Sequence, residues 1–92
     1  MKESVIEAYL VRQVKAAGGE VRKCTWVGRR GAPDRLVMLP GQAAVYVELK
    51  APGKLPGLSQ LREHARLREL GQYVVVIDST AGVDALLMGA GL

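Results

Sequence analysis

The stretch Ala43-Ala44-Val45-Tyr46-Val47-Glu48-Leu49-Lys50 decides the fold. Its alternation, with apolar aliphatic residues at every second position, has the period of an extended strand. Val45, Val47 and Leu49 share an apolar face that needs a helix to cover it. Ala44, Tyr46, Glu48 and Lys50 share the other face. Two charged groups side by side at the end of a central strand are costly to desolvate unless something pairs with them. For an isolated Glu-x-Lys the ordinary explanation is an internal ion pair or a strand end in water, since short patterns recur by chance.

Working outward, Pro40-Gly41 reads as a tight turn and Asp34 to Leu39 as a strand, which makes an antiparallel hairpin with Ala43 to Lys50. Asp34 opens one arm and Glu48 nearly closes the other, so Asp34 falls opposite Glu48 or one pair beyond it. Upstream, Gly28 to Pro33 is a loop and Glu20 to Val27 a strand. Lys2 to Ala17 is a helix with Ile6, Leu10, Val14 and Ala17 in one stripe, ended by Gly18-Gly19. Downstream, Ala51 to Gly57 is a loop and Leu58 to Leu70 a helix stopped by Gly71. Tyr73 to Asp78 reads as a strand buried on both faces. Ser79 or Thr80 caps a helix running to about Met88, whose Val83, Leu86, Leu87 and Met88 either cap the core or form a dimer surface. The order is α-β-β-β-α-β-α, with the third and fourth strands parallel neighbours across a helical crossover. This is an α/β fold, a small mixed sheet flanked by helices, in one domain over residues 1–92.

Composition agrees. Of 92 residues, 49% are hydrophobic and 24% charged, which excludes a disordered tail or a fibre. No apolar run reaches the roughly 18 residues of a membrane span, and the first residues lack the order of a signal peptide. Cys24 is the single cysteine, so no intrachain disulfide or cysteine zinc cluster is available and a cytoplasmic location is expected. The net charge of +4 lies entirely in residues 1–35, with eight basic and four acidic side chains, against five of each in 36–92. A basic half beside a neutral half suggests a polyanionic partner.

Asp34, Glu48 and Lys50 bring two carboxylates and an ammonium to one sheet edge. Adjacent acids repel unless a cation neutralises them, and oxygen ligands without Cys or His favour a hard ion such as Mg²⁺ or Mn²⁺. Glu7 borders the apolar stripe of the first helix and is a third candidate acid; Glu3, one turn earlier, is less buried.

Glu7, Pro33-Asp34, Glu48-Leu49-Lys50 and Gln60 together resemble the PD-(D/E)xK nuclease motif. The blocks Gly28-Arg29-Arg30-Gly31-Ala32-Pro33-Asp34-Arg35, Val47-Glu48-Leu49-Lys50-Ala51-Pro52-Gly53 and Leu58-Ser59-Gln60-Leu61-Arg62-Glu63-His64 are similar to the signatures of its VRR-NUC branch, the virus-type replication-repair nucleases. The resemblance covers nearly the whole chain and implies a restriction-endonuclease-like core. It implies Asp34, Glu48, the Leu49 carbonyl and Glu7 as metal ligands for Mg²⁺ or Mn²⁺. Lys50 would orient or help deprotonate water, and Gln60 would support the water or Lys50. It further implies a DNA endonuclease acting as a homodimer on branched substrates such as four-way (Holliday) junctions, in a bacterial or phage-infected cell. The rivals are a flap, single-strand or duplex nuclease subunit of a repair complex, and a non-catalytic DNA-binding module.

Arg29, Arg30 and Arg35 flank Asp34 and are read as phosphate contacts, with Lys54, Arg22 and Lys23 as weaker members of the same surface. Lys15 is read as a solubility residue. His64, although one turn after Gln60, is left out of the site as a packing or surface histidine. Trp26 and Tyr46 are assigned to the core, and Cys24 is read as a small apolar filler.

Overall fold

The computed structural model describes residues 1–91. Its elements are α1 (Glu3–Ala16), β1 (Glu20–Lys23), β2 (Arg35–Met38), β3 (Val45–Leu49), α2 (Leu58–Glu69), β4 (Tyr73–Ile77) and α3 (Thr80–Gly89). They form a four-stranded sheet in the order β1-β2-β3-β4. The first two pairings are antiparallel and β3–β4 is parallel, joined through α2. The expected order of elements and the mixed sheet are both present.

Each boundary has a local cause. α1 ends where Gly18 takes φ +85°, so that the Gly19 N–H reaches the Val14 carbonyl at 2.9 Å. In the β2–β3 turn, Pro40 is followed by Gly41 at φ +71°, and the Gln42 N–H donates to the Leu39 carbonyl at 3.1 Å. Proline at the second turn position and a positive φ at the third are what a type II turn requires. The Ser79 hydroxyl accepts from the Gly82 N–H at 3.0 Å and caps α3.

One face of the sheet carries the core. Val37, Val47, Leu49 and Ile77 pack against Ile6, Leu10 and Val14 of α1 and Val83 and Leu87 of α3. α3 thus packs on the core through Val83 and Leu87, while Met88 stays exposed. The other face is covered by α2, which lays Leu67 and His64 over it.

Two sequence readings need correction. The first strand stops at Lys23 rather than Val27: the pairing with β2 ends at Lys23↔Arg35, one further bond joins the Cys24 N–H to the Asp34 carbonyl at 2.9 Å, and the chain then turns away. The fourth strand is not buried on both faces. It lies at the sheet edge, where Tyr73 is exposed and Val76 is 38% exposed. Four β-branched residues in a row specify a strand, but strand order decides how much of it is covered.

Candidate active site

The pairing of β2 with β3 sets Arg35 opposite Val47 and Leu36 opposite Tyr46, so one step further Asp34 stands opposite Glu48. Alternation puts Asp34 and Glu48 on the face that α2 covers, and Arg35 on the face that α1 covers. The register therefore sets Asp34 across the hairpin from Glu48.

Glu48 is the hub. Gln60 Nε2 donates to Glu48 Oε2 at 3.2 Å, His64 Nε2 lies 3.4 Å from Glu48 Oε1, and Lys50 Nζ is 3.9 Å from Glu48 Oε2. Gln60 has a fixed orientation because its Oε1 accepts the N–H of Gly57, the N-cap of α2, at 2.9 Å. With the oxygen engaged there, the amide nitrogen is aimed at Glu48. Burial pushes the Glu48 carboxyl above its ordinary range; the His64 hydrogen bond and the Lys50 charge pull it back, and the Asp34 charge pushes it up again. That last influence is the electrostatic mark of two neighbouring acids.

His64 is a residue that sequence reasoning set aside. It is fully buried, its Nδ1 has no hydrogen-bond partner, and its other nitrogen faces Glu48. Its position four residues after Gln60, on the same face of α2, was the available signal.

Glu7 is held elsewhere. Its Oε2 accepts from Arg35 Nε at 2.6 Å and also from Arg35 Nη2. Arg35 Nη1 lies 2.9 Å from Asp34 Oδ1, an ion pair without a directed hydrogen bond. Burial opposes the Arg35 charge, but the Glu7 hydrogen bond and the Asp34 and Glu7 charges outweigh it and raise its pKa. With a side chain only 12% exposed, Arg35 bridges the two acids instead of facing solvent. Among the described residues, no group of three or more carboxylate, histidine or cysteine side chains could share an ion. Of the three expected acids, Glu7 and Asp34 both pair with Arg35, while Glu48 is held by Gln60, His64 and Lys50. Glu3 is exposed in the first turn of α1.

Trp26 and Tyr46 lie outside the apolar core cluster, against expectation. Their rings are 5.4 Å apart and half-buried, and Trp26 Nε1 donates to the Pro33 carbonyl at 2.7 Å. Tyr46 follows from the two-residue period, which places it on Glu48's face; together the pair braces the loop that leads into Asp34. Cys24 is half-buried. Of the basic residues, Arg29, Arg30 and Lys54 are exposed near the site-bearing loops, as are Arg22 and Lys23 on β1 and Lys15 on α1. The Lys54 loop is tied to the end of β4 by the Gly53 N–H donating to Asp78 Oδ2 at 3.3 Å.

No family model matches the chain. It is 52% identical over 79 residues to the "Putative nuclease p44" of Acyrthosiphon pisum secondary endosymbiont phage 1, an alignment covering 86% of this chain and 85% of that one. A solved chain described as a "VRR_NUC domain" superposes with a TM-score of 0.85 at 42% identity, over 96% of both chains. The chain belongs to the VRR-NUC nuclease family. In this VRR-NUC chain β3 and α2 bring Glu48, Lys50 and Gln60 together, with Asp34 at the start of β2 across the hairpin. Among the described residues no helix is long and apolar enough to cross a membrane.

Proposed function

We propose that this VRR-NUC chain is a divalent-metal-dependent deoxyribonuclease that hydrolyses phosphodiester bonds in branched DNA, four-way junctions in particular, as a homodimer. The observation that carries the reading is the placement of Asp34 opposite Glu48 with Lys50 beside it.

The donor set fits a hard cation. Two carboxylates from facing strand positions, with Glu48 making only long polar contacts, suit Mg²⁺ or Mn²⁺, which bind through one or two carboxylates and keep sites for water and phosphate. Asp34 and Glu48 would hold the ion, with the Leu49 carbonyl as a backbone donor. Such a cation, when bound, neutralises phosphate charge and lowers the pKa of a water. The chain's own residues do the rest. Gln60 and His64 fix the Glu48 carboxylate, and Lys50 presents a positive charge to the phosphorus centre as negative charge develops there. Glu7 acts through Arg35, which it holds against Asp34. Two such sites in a dimer would suit the two opposed strands of a junction.

The test is a cleavage assay on four-way, flap and linear duplex DNA with Mg²⁺ or Mn²⁺ and with chelator. The junction should be cut in metal and spared in chelator. Asp34→Ala and Lys50→Ala should each lower the rate about a hundredfold or more while DNA is still bound. Preferential cutting of flaps would instead support the repair-subunit reading. Binding without cutting in either metal would leave a DNA-binding module.

A further inference from the structure

We propose that the groove between the Gly28–Pro33 loop and α2 is a phosphate-binding track for the backbone of a DNA strand running past the cleavage site, with Glu63 as its positioning residue. This rests on the nuclease reading above and extends it to residues of α2.

The groove has a volume of about 320 Å³. Arg29 and Arg30 enter it from the loop, Arg62 and Arg66 from α2, and Ser59 and Glu63 lie between them. Arg62 and Arg66 are four residues apart, so they stand in a row about 6 Å long on one side of the helix. Ser59 and Glu63 each precede by one residue Gln60 and His64, which touch Glu48. The groove therefore runs along the same helix that supports Glu48, on its adjoining side.

Charge gives the groove its chemistry. The Glu63 side chain is only 4% exposed, and its carboxylate accepts from Arg66 Nε, lies 3.5 Å from Arg66 Nη2 and pairs with Arg29 Nε at 3.9 Å. The Arg66 hydrogen bond holds the Glu63 carboxyl below its ordinary range. Four guanidiniums against one carboxylate leave three positive charges without a counter-charge in the groove. Arg30 and Arg62 make no salt bridge among the described residues. Solvated surface arginines do not need a buried acid between them. Here the acid orders two of the four, which reduces the side-chain freedom lost when a ligand arrives. Guanidinium forks match phosphate oxygens in pairs, and with no aromatic side chain in the groove the contact is to backbone instead of bases.

Main-chain contact fixes the width. A Cβ on Gly31, at φ +80°, would sit 2.6 Å from the Ser59 carbonyl oxygen, so the loop rests directly on the first turn of α2.

The experiment measures binding of a labelled four-way junction in EDTA across a range of salt concentrations. Replacing both Arg62→Ala and Arg66→Ala should reduce the slope of log affinity against log salt by about 2, and lower affinity about tenfold or more. A charge-matched control, Arg12→Ala with Lys15→Ala on exposed positions of α1, should leave the slope at the parent value. Equal slopes for the two double variants would overturn the track. Glu63→Gln separates positioning from bulk charge: losing a negative charge beside a polyanion should strengthen binding, whereas losing the anchor of Arg29 and Arg66 should weaken it. Stronger binding would remove Glu63 from the proposal. Because chelator keeps cleavage out of this measurement, a protein that never cuts would still report the groove. Unchanged slopes in a protein that cuts would count against the groove alone.

Discussion

The two faces of the sheet are built on opposite terms. Under α1 and α3 the interior is aliphatic, with Ile6, Leu10, Val14, Val37, Val47 and Val83 fully enclosed and no charge among them. Under α2 the buried groups include Glu48, Glu63 and His64. The first face gains stability in proportion to apolar area removed from water. The second gives some of that up to hold a carboxylate in place between a histidine, an amide and an ammonium. Adjacent residues of β3 serve both: Val47 and Leu49 point one way, Glu48 the other. A chain this small can separate folding from chemistry by the period of a single strand.

Breaking one face should leave the other's property standing. Leu10→Ala, in the aliphatic layer, is expected to cost about 2–5 kcal/mol of stability, read by denaturant unfolding. Below the new transition temperature its nuclease activity should persist. Equal loss of cutting and of stability would mean that the faces are not independent.

The polar face gives a pH signature of opposite sign. Burial raises the Glu48 pKa in the folded state, so the folded chain holds that proton more tightly than the unfolded one. The group's contribution to stability is fully present below the ordinary glutamate pKa and is lost as pH rises through the raised folded value. In chelator, Glu48→Gln should therefore raise the melting temperature at neutral pH, read by thermal unfolding. The gain should vanish in acid. A variant less stable than the parent at neutral pH would show that the Lys50 and His64 contacts outweigh burial.

A further effect belongs to the aliphatic side. Ser79→Ala removes the cap of α3 and should cost about 1 kcal/mol by thermal unfolding, with cleavage unchanged.

How much of this was legible in the sequence depended on range. The elements of the hairpin, the turn at Pro40-Gly41 and the placement of Asp34 across from Glu48 follow from a period of two and a fourteen-residue spacing, so they could be read. Gln60 was legible only through the resemblance of its block to the family's signature. The Glu7–Arg35 pair spans twenty-eight residues and depends on how α1 crosses the sheet, which no local pattern encodes. The exposure of Val76 depends on strand order, and β-branched residues look alike in a central and an edge strand. His64 was passed over because a histidine on a helix has several ordinary roles; only the approach of β3 to α2 selects one of them. The scarcity of aromatics in the chain points Trp26 to the core, whereas its indole N–H holds the Pro33 carbonyl.

The seating of Gly31 on Ser59 has an evolutionary corollary. Because the gap between the loop and α2 is gauged by main-chain atoms, the neighbouring surface residues are free to drift, trading one exposed side chain for another, without altering the spacing of the arginines. A single added methyl at position 31 is the change that this arrangement could not absorb, so drift should stop there first.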